Sequence, residues 1–334
     1  MDTRKDGRGK ARSAAAWLFG ATIVIVIATL LAGHHWLCRR EVEPISQQEL
    51  AERYARTLGW IKANETLVLG NGNSALWWMV LATADITGDA YLRGLAKQTE
   101  QRLYGDIEPS RPWRRMFDPK ASVHMNGGPI EPMEGYQRFF LHALTCVPVS
   151  WQDGDTSTFL TDKACGPNWR TVALNDPACS THQLMALKIF ERTGCTAPQP
   201  LAPLKRALLD DVASQLSLDP VMQDAHIQRV LMLAWLGQAE RIKPIWLRRI
   251  LDAQEPDGGW LGHRRIPELP DAISPWAWRE RLARHWHGLF VPRRAQHDFH
   301  ATAQGLLLLA LLKNAAPIPV QHSYNASDHQ ETAP

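Results

Sequence analysis

The sequence has little net charge, no strand pattern and no break in its interior. Its formal charge is +3, and the basic residues form no stripe interleaved with aromatics, so no electrostatic footprint for nucleic acid is present. No Pro/Ser-rich linker divides the 334 residues, which therefore read as one domain plus an anchor. No stretch alternates apolar and polar residues for the length of a strand, so a sheet is not expected. Two processing signals are missing as well. No small-x-small site precedes His34-His35-Trp36-Leu37, which argues against a cleaved signal peptide, and no lipobox lies upstream of Cys38. Tryptophan, by contrast, is abundant: the 14 residues suit a large helical core or an aromatic-lined cavity.

From Ala14 to Gly33 only Thr22 and Thr29 carry polar side chains. At ~1.5 Å per residue that run crosses a hydrocarbon core of ~30 Å. Arg4, Lys5, Arg8, Lys10 and Arg12 precede it, while Arg39 and Arg40 follow. The positive-inside bias then predicts a cytoplasmic N-terminus and a periplasmic or extracellular body. The expected divisions are a cytoplasmic tail (1–12), a transmembrane anchor (13–38) touching lipid over 14–37, a helical domain (41–314) and a flexible tail (315–334). Cys146, Cys165, Cys179 and Cys195 form an even set beyond the anchor. In an exported domain this predicts two disulfides of open connectivity, with four buried thiols as the alternative.

The domain alternates two kinds of helical segment. In one kind apolar residues form a single stripe, as with Leu50, Tyr54, Leu58 and Ile61, or Leu204, Leu208, Val212 and Leu216. In the other the apolar character runs nearly all round: Ala75 to Ala82, Tyr136 to Leu144, Leu184 to Phe190, Ile227 to Leu236 and Gly305 to Leu312. The order is half-apolar, then wholly apolar: 46–62 with 74–86, 89–104 with 135–146, a weakly marked 155–164 with 181–193, 204–218 with 224–238, and 244–254 with 299–314. A helix without a polar face must be buried on every side, so the wholly apolar set is expected inside and the striped set outside. A less ordered all-α bundle is the alternative.

Polar residues gather where the inner segments begin: Asn71 and Asn73, Glu131 and Glu134, Asp176 and His182, Asp224 and His226, His297, Asp298 and His300. If the inner helices run parallel, these ends meet at one pole and form the candidate site. Glu134 and His182 are the acid/base candidates, the glutamate on the condition that an apolar cavity raises its pKa. The ordinary reading is that such carboxylates cap helices and complement their dipoles, and that the histidines are hydrogen-bonded at the edge of the core.

One turn carries a family likeness. In Arg249-Ile-Leu-Asp-Ala-Gln-Glu-Pro-Asp-Gly-Gly-Trp260, Pro256 stops a helix and Gly258-Gly259 permits a reversal onto Trp260. Gln254-x-x-x-Gly258-x-Trp260 resembles the QW repeat of terpenoid cyclases and the Gly-Gly-aromatic turns of protein prenyltransferase β subunits, over about 204–314. The resemblance implies an all-α fold, an incomplete α/α toroid of outer and inner helices, preceded here by a single transmembrane helix. Prenyltransferases hold zinc with an Asp-x-Cys pair and a later His at inner-helix starts. Matched onto Asp224-Ala-His226 and Asp298-Phe-His300, this implies a zinc site of Asp224, His226 and His300, with His226 in place of the cysteine. No Asp-x-Asp-Asp occurs, so the proton-initiated chemistry of class II cyclases is not implied. Two functions are expected: an enzyme acting on an apolar or sugar-containing small molecule, or a non-catalytic toroid binding a membrane-proximal protein or lipid.

Overall fold

The computed structural model describes residues 6–105, 111–123, 135–147, 179–196, 200–220, 222–262 and 299–315, without the side chains of 6–16, 18, 135–138 and 179. Among the described residues are eleven α-helices, two 3-10 helices and no strand, with an isolated bridge between Gln254 and Trp260. The α-helices are α1 (Asp6–Arg39), α2 (Gln47–Ala63), α3 (Glu65–Leu69), α4 (Ser74–Thr87), α5 (Ala90–Tyr104) and α6 (Gly135–Thr145). They continue with α7 (Cys179–Thr193), α8 (Leu201–Leu218), α9 (Asp224–Trp235), α10 (Pro244–Asp252) and α11 (Phe299–Asn314). The expected segment at 155–164 lies outside the described residues, as do 316–334 of the expected tail. Helix α1 already begins at Asp6, inside the stretch assigned to the tail, although Gly7 and Gly9 are poor helix formers.

Local chemistry sets the boundaries. Side chains of Ser46, Asn73 and Asp89 accept from the first free amides of α2, α4 and α5. Gly88 closes α4 at φ 72°, a left-handed conformation that lets the chain reverse directly into α5.

Cross-helix contacts fix the directions. Phe139 meets Phe190, the Ala143 carbonyl accepts from Thr193, and Cys146 is bonded to Cys195, so α6 and α7 run parallel. Helix α8 runs against α7, pairing Asp211 with Ser180 and Lys205 with Glu191. It also runs against α9, pairing Gln215 with Arg229 and Asp210 with Arg241. Therefore α7 and α9 are parallel. The first turns of α9 and α11 meet through Asp224 and His300, and those of α4 and α11 through Trp77 and Phe299. Helix α5 returns against α4, with Ser74 on Tyr104 and Asp85 on Arg93.

Burial separates the two groups. Every residue from Ala225 to Leu233 and from Ala301 to Ala310 is buried. In contrast, α2 buries only the stripe Leu50, Tyr54, Thr57, Trp60 and Ile61, and α5 only Leu92, Leu95, Ala96, Thr99 and Tyr104. Sequence that is apolar nearly all round thus became the most completely buried helix, as the transfer of apolar area from water favours.

Helix α1 stands apart for most of its length. Its stretch Phe19–Arg39 is long and apolar enough to cross a membrane by length and composition, and only 6% of the apolar window is buried. Its last turns dock on the body: Cys38 is buried and the His34 ring lies 2.8 Å from the Leu218 carbonyl.

The expected pair of disulfides is described in part. Cys146 and Cys195 are bonded across the ends of α6 and α7. Cys165 and the side chain of Cys179 lie outside the described residues.

Candidate functional site

The Gln254 to Trp260 turn places the start of α11. The Gln254 amide reaches Thr57 Oγ1 at 2.8 Å, the Arg53 carbonyl at 3.1 Å and the Gly258 carbonyl at 3.1 Å, which ties the turn to α2. The Trp260 indole donates to the Ile250 carbonyl at 2.8 Å, and its backbone N–H to Thr302 Oγ1 at 3.1 Å. Gly258 has φ 100°, and a Cβ there would lie 2.2 Å from the Arg56 carbonyl oxygen; a Cβ on Gly305 would lie 2.6 Å from the Trp260 ring. One turn therefore clamps three helices, and glycine is required on both sides of it.

That clamp sets His300 opposite Asp224. His300 Nδ1 and Asp224 Oδ2 are 2.9 Å apart, and each side chain is 32% exposed. The other Asp224 oxygen accepts from the Ala225 N–H at 2.7 Å. Burial raises the Asp224 pKa, but the His300 hydrogen bond and charge, the Ala225 N–H and the His182 charge outweigh it, so the carboxyl sits below 3.8. An ionised Asp224 accepts the Nδ1 proton of His300, leaving Nε2 as the basic nitrogen. Gln304, one turn further along α11 and fully buried, has its amide nitrogen 3.3 Å from that Nε2.

Of the site residues the sequence nominated, the structure brings Asp224 and His300 together and places His182 close enough for its charge to act on Asp224. His182 is half-buried, with its ring 6.1 Å from that of Phe140. It does not bring His226 to them. His226 is fully buried, with Nε2 3.4 Å from the Trp246 carbonyl and Nδ1 without a hydrogen-bond partner. Burial and the positive charges of Arg249 and Arg229 push its pKa well below 6.5. Asp224 faces His300 while His226 is sealed against the Trp246 carbonyl, so the two side chains do not converge on one point. Glu134 lies outside the described residues. Asp224 and His300 alone are one residue short of the zinc set that the resemblance implies, and among the described residues no group of three or more His, Cys, Asp or Glu could hold a metal.

Two further features escaped the sequence reading. A buried polar network joins α7, α8 and α9. Ser180 donates to Asp211, Gln215 donates to Asp211 at 2.8 Å, Arg229 donates to Gln215 at 2.9 Å, and Arg229 pairs with Asp219 at 2.8 Å. Burial pushes the Asp211 carboxyl up, against the lowering pull of Ser180, Gln215 and Arg229. The second feature is a cleft of about 350 Å³ whose lining includes Trp78, Asp85, Lys188, Glu191, Arg192 and Trp235. Its wall draws on the trailing ends of α7 and α9, whereas the sequence placed the opening at their leading ends. Its rim charges are engaged: Asp85 with Arg93, and Glu191 with both Lys188 and Lys205.

No family model, curated protein or solved structure matches this chain.

Proposed function

We propose that this is a membrane-tethered enzyme built as an incomplete α/α toroid, in which Asp224 and His300 perform acid/base chemistry on an apolar or sugar-containing ligand. The architecture is supported by direction and burial together. Helices α6, α7, α9, α11 and α4 run one way and pack in that order, each on the next, with the 3-10 turn Pro112–Met116 touching both α4 and α6, while α5 and α8 return against them. Membrane tethering is supported by the exposed apolar face of α1. The charge bias across that helix and the Cys146–Cys195 disulfide support a body on the oxidising side.

The chemistry stands on one observation, the 2.9 Å contact between His300 Nδ1 and Asp224 Oδ2 at the meeting of two helix starts. A carboxylate on Nδ1 orients the imidazole and stabilises its protonated form, so Nε2 can take a proton from an attacking water or hydroxyl and return it to a leaving group. The reaction class is hydrolysis or transfer. The test is turnover of a panel of chromogenic glycosides and esters by the full chain in detergent. His300→Ala and Asp224→Asn are each expected to lower turnover by about 10²-fold or more. Unchanged turnover in both variants would remove the dyad from the chemistry.

A second reading has its own support. The Gln304 amide already occupies the vicinity of His300 Nε2, as it would if Asp224, His300 and Gln304 only fastened α9 to α11 in a non-catalytic binding protein. In that case the two variants lower thermal stability while ligand binding persists in folded protein.

A further inference from the structure

We propose that the pole carrying Asp224 and His300 is the face that rests on the lipid bilayer, so that its ligand arrives at headgroup depth. The inference rests on the proposed membrane tether and adds to it an orientation. The apolar run of α1 ends at Gly33, and the next residue, His34, already bonds to the Leu218 carbonyl at 2.8 Å. Leu218 is the last residue of α8, six positions before Asp224 opens α9. No free linker separates the span from the body. Cys38, one turn after His34, is buried, so the end of α1 lies on the flank of the body and the exposed stretch from Phe19 to Leu31 projects beyond this pole.

Surface chemistry agrees. Among the described residues the large hydrophobic side chains exposed outside α1 are Leu67 at 40%, Val147 at 50% and Leu218 at 44%. Leu218 ends α8 here, and Leu67 sits on α3, between the end of α2 and the leading end of α4, at the same pole. Val147 follows the trailing end of α6 at the opposite one. Trp36 is 51% exposed and carries the Arg40 guanidinium 3.8 Å from its ring centre. An exposed indole with a cation beside it suits the headgroup layer, where one end of the ring meets hydrocarbon and the other water.

The experiment places a bimane on Leu67→Cys or, at the far pole, on Glu240→Cys in the full chain. Each is reconstituted in phosphatidylcholine vesicles containing a lipid with a nitroxide on its headgroup, and the parent chain, labelled alongside, supplies the background. Quenching severalfold stronger at position 67 than at position 240 is expected. Equal or reversed quenching in protein that floats with the vesicles overturns the orientation. Protein that fails to float overturns the tether and the orientation with it. Neither result depends on turnover, so the catalytic reading of His300 stands or falls separately.

Discussion

Asp224 and His226 stand two positions apart and live in different chemistry. Asp224 is half-buried against a histidine, while His226 is sealed beside two guanidinium groups. Their contributions to stability fall in different pH windows. Above about pH 6.5 His226 is neutral in both folded and unfolded chains; as pH drops below 6.5 the unfolded chain takes the proton first, and stability declines toward the lowered folded-state value. Asp224 contributes fully above 3.8 and loses its contribution only as pH falls through its depressed folded value. Chemical denaturation from pH 8 to pH 5 should therefore show a falling stability that is flattened in folded His226→Gln, and not in Asp224→Asn. The sequence made Asp224 and His300 legible because both sit at the start of wholly apolar helices. It did not show that His226 is enclosed, because that burial depends on Trp246 and Arg249, which come from another helix. Gln304 could have been found from phase alone, being one turn from His300.

At the scale of elements, helix limits were legible wherever a cap, proline or glycine marked them. The expected 299–314 coincides with α11, and α8 begins at Leu201, three residues ahead of the expected 204. What the pattern hid was polar. Arg229 lies inside the run from Ile227 to Leu236 and is fully buried, as is its partner Asp219 to within 3%. Periodicity counts one such residue as noise, but its charge needs the whole set of Asp219, Gln215 and Asp211 around it. Arg229→Ala removes the guanidinium 2.8 Å from the buried Asp219 carboxylate, and a loss of about 3–5 kcal/mol is expected by denaturant titration. The network thus pins α8 against α9 in one register, which the apolar stripe of α8 alone would specify more loosely.

For the whole molecule, the sequence carried the helical class and the alternation of buried and half-buried helices, because both follow from local apolar pattern. Which helix neighbours which was not legible, since it depends on contacts between residues far apart in sequence, such as Gln254 with Thr57 or His34 with Leu218. The Cys146–Cys195 bond is one of these long connections, with a sequence separation of 49. A closed loop of that size restricts the unfolded chain by about 4 kcal/mol. Reductant should lower the melting temperature by several degrees, and Cys146→Ser with Cys195→Ser should show a comparable loss without reductant.

The junction at His34 couples the body to its helix as a key is coupled to its shaft. A helix advances about 100° per residue, so one residue gained or lost ahead of His34 would turn the domain through more than a quarter circle relative to whatever gripped α1 in the bilayer. Under the proposed tether, a thinner membrane that made α1 lean would lean the domain with it. Bilayer thickness is, under that proposed tether, a mechanical input to the angle at which Asp224 and His300 meet their surroundings.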